Sequence, residues 1–313
     1  MLSPAYVGRR LAALVVVAVG VTIVVFFLIH LVPGDPARTL LGNRATDKAV
    51  ATIHHEYGLD RPLSSQYWLF IDRLAHGNLG DSLFYRVPTT QLISERFGAT
   101  LWLILYGTVL AVVLSVPLAL IAASRRGGLR DQIVRVVPLV GLGMPSFWVG
   151  IILVLLLAVK ARLFPVGGYG SGVGGHLSAM FLPALTVAVA MTPILVRSLR
   201  ASLLDVLEAD YITTARSKGL SEWRVVSAHA LRNAAVSTVT VLGVNVAFLI
   251  GNTIVIEKVF ALPGLGSLMI EAIFNRDFAV VQGLALVFAA LVVLANLLTD
   301  LTYAALDPRV RLG

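Results

Sequence analysis

The 313-residue chain has no cysteine, which excludes disulfides, thiolate metal sites and cysteine nucleophiles. Charge is scarce as well. Only 13% of residues are Asp, Glu, Lys or Arg, against about 25% in a soluble domain. None of the four lysines (Lys48, Lys160, Lys218, Lys258) follows a glycine, so no phosphate-binding loop of the Gly-x-x-x-x-Gly-Lys type exists. The Gly-x-Ser-x-Gly elbow and His-Glu-x-x-His pattern are missing too. His54-His55-Glu56 is spaced too closely to set two imidazoles on one helical face, so no metal is expected there. Enzymatic chemistry has no foothold, and the chain is expected to be no enzyme.

What is present is apolar: 58% of residues, with a mean hydropathy of +0.87. Such a composition can neither wrap a water-soluble core nor stay disordered. A helix crosses the roughly 30 Å hydrocarbon layer with about 20 apolar residues, so charge-free windows count the crossings. Six windows qualify: 11–34, 97–124, 136–159, a span near 178–197 within 163–196, 233–256 and 278–299. The first is too long for a signal-peptide core, and Pro33-Gly34-Asp35-Pro36 offers no small-residue cleavage site, so it reads as a retained helix. The expected fold is an all-α polytopic membrane protein with six transmembrane helices.

The few charges orient it. With the N-terminus in the cytoplasm, the inside segments carry 14 Lys and Arg and the short outside loops carry 4, namely Lys160, Arg162, Lys258 and Arg276. Both termini are therefore expected inside. The net charge of +8 is then a topological bias rather than a nucleic-acid footprint, and no nucleic acid is expected as a partner.

Two loops exceed mere connection. Segment 35–95 is too long and patterned for a linker. Tyr67, Phe70, Ile71 and Leu74 share one helical face, with Ser64 or Ser65 placed to cap the start and Gly77 the end. Further short helices are expected near 47–57 and, opened by Pro88, near 88–97. This small helical lobe outside the membrane either covers helix ends or docks an extracytoplasmic partner.

The inside loop 203–226 carries the other signal. Tyr211, Ile212, Ala215 and Leu220 can form one apolar strip, with acids early and bases late as the helix dipole prefers. Gly219 suits a left-handed helix end, and Ser221 can cap a new helix running into the fifth span. Two helices meeting at a cytoplasmic corner are expected; composition alone also fits an amphipathic segment lying on the membrane surface. Within the spans no acidic or basic residue is expected, hence no proton relay. The polar residues there are Asn245, Asn252 and Asn296, with scattered Ser and Thr. Asn245 and Asn252, seven apart, share a face of the fifth helix and serve either as interhelical hydrogen-bond glue or as lining of a substrate path.

In order along the chain come Leu31-Val-Pro33-Gly34-Asp35-Pro36, Tyr57-Gly58-Leu59-Asp60-Arg61-Pro62-Leu63, Gly77-Asn-Leu-Gly80-Asp81-Ser82 and Met144-Pro145-Ser146-Phe147-Trp148. Then follow Ala209-Asp210-Tyr211-x-x-Thr214-Ala215-Arg216-x-Lys218-Gly219-Leu220, Glu257-x-x-Phe260-x-x-Pro263-Gly264-Leu265-Gly266 and Ala305-Leu306-Asp307-Pro308-Arg309. Taken together these resemble the permease subunits of peptide/nickel-class ABC importers, specifically the DppB/OppB-like half of the permease pair.

The resemblance implies a type I ABC importer permease fold. It implies an N-terminal helix (1–34), the extracytoplasmic lobe (35–95), a five-helix permease domain (96–304) and a cytoplasmic tail (305–313). It makes 203–226 the loop that seats a coupling helix on an ATPase, through Glu208, Ala209, Asp210, Tyr211, Thr214, Ala215, Arg216, Lys218 and Gly219. Ala215 and Gly219 fall on the family's small-residue positions and Thr213 on its leading Glu position. Ser217 stands where Ala is common. Ser237 stands where a proline often opens the fifth span, leaving that helix straighter. The implied partners are a second, DppC/OppC-like permease, two ATPase subunits that hold ATP and Mg, an extracytoplasmic binding protein and membrane lipid. No cofactor is implied on this chain. The implied cargo is a di- or oligopeptide, with nickel chelates, glutathione and haem as alternatives. An ion-coupled secondary transporter is the rival class.

Overall fold

The computed structural model describes residues 15–27, 38, 45–58, 60–124, 132, 136 and 143–306. Among them no strand forms, and an isolated antiparallel bridge joins Asp81 to Pro88. The helices are α1 (Val15–Phe27), α2 (Asp47–Tyr57), α3 (Leu63–Ala75), α4 (Thr89–Ser124) and α5 (Ser146–Lys160). They continue as α6 (Gly172–Ala179), α7 (Phe181–Leu207), α8 (Asp210–Ser217), α9 (Glu222–Val259), α10 (Leu265–Phe274) and α11 (Phe278–Leu306). Four of them, α4, α7, α9 and α11, are long and apolar enough to cross a bilayer, at the second, fourth, fifth and sixth predicted spans. α1 and α5 fall in the first and third windows as shorter apolar helices, and the remainder of those windows lies largely outside the described residues.

Helices extend beyond the charge-free windows because charged ends belong in water while the backbone keeps its hydrogen bonds. The expected short helix at 88–97 is simply the start of α4, which runs unbroken into the second span. α9 takes a wide π turn over Val225–Ala230 and then continues through Ser237 to Val259. The short α10 has no counterpart in the window count.

Two compact units emerge. The first comprises the described residues of 99–263 and 292–306; the second comprises the described residues up to Gly98 together with 264–291. In the first, α7 packs along α9, and α5 packs against both. α7 is the core element, with Leu182, Ala184, Val187, Leu195, Leu199 and Leu203 buried. Gly243 lets α9 touch α11 backbone-close: a Cβ at 243 would collide with the Thr299 side chain.

The second unit is held by polar clasps. Arg96 Nη1 lies 3.1 Å from Glu271 Oε2, and the Tyr85 hydroxyl donates to the same oxygen at 3.0 Å. Burial, followed by the Glu271 hydrogen bond, raises the Tyr85 pKa above its ordinary 10.0. Ser82 Oγ donates to the buried Asp277 carboxylate, and the Phe84 N–H donates to the same oxygen at 3.3 Å. α3 begins at Leu63 after Pro62 without a side-chain cap, so neither Ser64 nor Ser65 plays the expected part. Gly77, at φ +72°, ends it as predicted. His55 Nδ1 lies 3.0 Å from Asp60, whose carboxyl is held below its ordinary value chiefly by that hydrogen bond.

Candidate functional site

The corner between α7 and α9 is built on a two-turn helix. α7 ends at Leu207, Glu208 caps it, and Ala209 turns extended to open α8. Ile212 is wholly buried and Ala215 is 8% exposed. Both sit in a cluster with Ala119, Ala122 and Ala123 of α4, Leu199 and Leu203 of α7, and Ala230 and Ala234 of α9. The alanines facing α8 are what let so short a helix seat closely, because a helix of eight residues has no stability of its own. Ala215 thus contributes its smallness to contacts within the chain, whereas the sequence reading gave that role to a partner.

The end of α8 is a complete Schellman turn. Gly219 has φ +75°, its N–H bonds to the Arg216 carbonyl at 2.9 Å, and the Leu220 N–H reaches the Ala215 carbonyl at 3.4 Å. Leu220 then packs on the same cluster as Ala215, the apolar contact that completes the motif. Nothing lies within 4 Å of where a Gly219 Cβ would stand, so this tip of the corner is open.

Arg216 reaches back across the turn. Its Nε and Nη2 donate to Glu222 at 3.1 and 2.6 Å. The pairing lowers the Glu222 pKa from 4.5 and raises that of Arg216. Arg216, one of the residues that the resemblance assigns to the ATPase contact, is thus also paired within the chain. Tyr211 also departs from expectation. It leaves the apolar strip, stands 44% exposed, and accepts a 2.8 Å hydrogen bond from the Asn233 amide at its hydroxyl. Ser221 occupies the cap position of α9, yet its side chain makes no capping bond. Thr214 Oγ1 donates to the Asp210 carbonyl at 3.0 Å, which ties the polar face back to the helix. Exposed at the corner are Glu208, Asp210, Tyr211, Thr213, Thr214, Arg216, Ser217, Lys218 and Gly219.

The two predicted path residues diverge. Asn245 is half-buried and returns its amide to its own helix, donating to the Val241 carbonyl at 2.8 Å. Asn252 is exposed. The structure does not bring them into one hydrogen-bonded group. It does place a carboxylate where none was expected: Glu257, inside α9, is fully buried and accepts from Thr100 Oγ1 at 2.6 Å. Glu257 directly follows the charge-free window 233–256, so the window count gave no sign of its burial. The only sequence signal was its place at the head of the Glu257–Gly266 motif.

Comparison with known proteins fits this geometry. The family of binding-protein-dependent transport system inner membrane components matches residues 115–312, and its N-terminal companion matches 4–104. A probable peptide ABC transporter permease of Sinorhizobium fredii is 38% identical over 309 residues, covering 98% of this chain and 99% of the relative. A glutathione transport system permease of Escherichia coli O6:H1 is 38% identical over 306 residues, 98% of each chain. Among solved structures, the inward-facing methionine transporter MetNI aligns with a TM-score of 0.58 at 19% identity, over 70% of this chain and 97% of that one. The chain belongs to the family of binding-protein-dependent transport system inner membrane components. It is a multi-pass ABC importer permease of type I fold.

Proposed function

We propose that this permease forms half of the translocation pathway of an ATP-driven importer of peptides, in the di- or oligopeptide to glutathione range, and that the α8 corner receives the stroke of the ATPases. One observation carries the coupling role. α8 is clamped to α4, α7 and α9 through Ile212 and Ala215, while its other face and the Gly219 tip stay open. A rigid peg with a solvent-exposed polar face transmits displacement into the long helices instead of absorbing it. Glu208, Ala209, Asp210, Tyr211, Thr214, Arg216, Lys218 and Gly219 are the contact set, with Ala215 seating the peg from inside.

ATP and Mg belong to two partner ATPases, and a second permease of the DppC/OppC type completes the pathway. A binding protein delivers cargo to the lobe 35–95. In this arrangement 96–304 is the permease domain, 1–34 the leading helix and 305–313 the tail, with both termini cytoplasmic as the 14-to-4 distribution of Lys and Arg indicates. Asn245 and Asn252 remain the residues assigned to the path. The peptide range rests on the named functions of the relatives.

The deciding experiment is peptide uptake by the reconstituted complex with ATP present and the proton gradient collapsed. Sustained accumulation is expected. Uptake that follows the gradient instead of ATP would assign the chain to secondary transport.

A further inference from the structure

The most exposed aromatic ring at the cytoplasmic corner lies just beyond α8. Trp223, in the first turn of α9, is 72% exposed. Its backbone is firmly held. Glu222 before it accepts two hydrogen bonds from Arg216, and Val225 and Val226 after it are buried. Ser227 Oγ donates to the Trp223 carbonyl at 2.7 Å. Lys218 and Arg224, before and after the ring in sequence, are exposed, and among the described residues neither forms an ion pair.

Lipid does not account for this ring. The fifth charge-free window begins at Asn233, ten residues further along the same helix. Trp223 therefore stands roughly 13–15 Å of helix rise outside it, the lower figure allowing for the wide turn at Val225–Ala230. The headgroup layer takes only about 5–8 Å on each side, and an ordinary tilt of about 20° shortens the rise by little. Belt tryptophans sit at headgroup level. This one is past it.

An indole left in water keeps a large apolar surface hydrated, and tryptophan and arginine dominate the binding energy of protein interfaces. A backbone fixed beforehand loses little freedom on docking, which leaves more of that energy to the contact. The ring also adjoins the open tip of the corner. Gly219 stands four residues before it, and the Arg216–Glu222 pair ties its turn to the end of α8. A partner that seats on α8 thus meets Trp223 in the same approach.

We propose that Trp223 is a second hold of the ATPase on this permease, seated in an apolar pocket whose rim carries carboxylates for Lys218 and Arg224. The inference rests on the α8 corner being the ATPase contact, and it adds a different route for force. α8 hands a push to α4, α7 and α9 by packing. Trp223 belongs to α9 itself, and a ring buried in a partner's pocket resists withdrawal. The long helix is then drawn back when the ATPases part, as well as pushed when they close.

Photo-crosslinking of the complete importer in nanodiscs tests it. The photoreactive residue p-benzoylphenylalanine replaces Trp223 or, separately, Ser217 on the exposed side of α8, and the adducts are identified by mass. ATPase adducts from both positions are expected. ATPase adducts from 217 alone, with 223 attached to lipid, to the second permease or to nothing, would overturn the Trp223 hold and leave the α8 corner as the coupling contact. No ATPase adduct from either position would overturn the corner, and the hold with it. Rebinding of stripped ATPase subunits gives a second measure. Trp223→Ala removes a largely exposed side chain, leaves the Arg216–Glu222 pair in place, and should weaken rebinding about tenfold. Trp223→Phe should recover most of that loss. Arg224→Glu should weaken rebinding about fivefold and reduce its dependence on salt. Rebinding of Trp223→Ala at wild-type affinity would overturn the proposal.

Discussion

Arg216 closes on Glu222 with two hydrogen bonds, of 3.1 and 2.6 Å, spanning the left-handed turn at Gly219. The pair joins the last turn of α8 to the first turn of α9, so the corner is fixed by charge as well as by packing. Its contribution is modest. The two side chains are 42% and 60% exposed, and solvent screening leaves about 0.2–1 kcal/mol. Glu222→Gln should therefore leave the fold intact but loosen the corner, and a spin label at Ser217→Cys should become more mobile.

The pair also predicts a pH dependence. The Glu222 pKa is lowered in the folded state from 4.5. Its stabilisation is thus fully present above the unfolded value and is lost as pH falls through the folded one. The Ser217→Cys label should gain mobility on acidification below about pH 4.5, with no change between neutral pH and that point. The same titration in Glu222→Gln should be flat.

Gly219 separates conformation from contact. Gly219→Asn should be nearly neutral, because Asn tolerates the left-handed region, whereas Gly219→Ala should cost about 1 kcal/mol. Gly219→Trp adds a bulky group to a tip that meets nothing in its own chain. That variant should still assemble in the membrane and permit ATP hydrolysis by the complex while uptake is lost. Wild-type uptake by Gly219→Trp would remove the corner from the coupling path.

Ile212 tests how α8 is held. Ile212→Ala should destabilise the peg by about 2–5 kcal/mol, through lost burial plus the cavity left among the alanines. Hydrogen exchange over Asp210–Ser217 should accelerate, with protection retained in the core of α7.

Thr100→Val should cost about 1.5–3 kcal/mol, because a buried carboxylate loses a hydrogen bond that water cannot replace. Thr100→Ser should restore it. Thermal unfolding of the purified chain in detergent would separate the two.

The crossings were legible because hydrocarbon does not tolerate charge, so gaps between charged residues mark helices without any knowledge of packing. Gly219 was legible for a similar reason: few residue types satisfy its backbone geometry. What stayed hidden depended on partners remote in sequence. The burial of Glu257 stayed hidden because its donor, Thr100, lies 157 residues away. The Arg216–Glu222 pair stayed hidden because nothing in the α8 segment reveals that the turn folds Glu222 back onto it. Tyr211 matched the apolar period, yet its hydroxyl found Asn233 at the surface. α10 escaped notice as a short apolar stretch between a Pro-Gly pair and Asp277, with no room for a crossing.

The contact at Gly243 sets how motion can be shared among the long helices. With Thr299 seated against the bare backbone of α9, α9 and α11 cannot slide past each other by a residue without first lifting apart. They are keyed like two halves of a splint. Under the proposed coupling role, a displacement that enters through α8 and the start of α9 would carry the Thr299 end of α11 with it, and the seam between the two would not serve as a hinge.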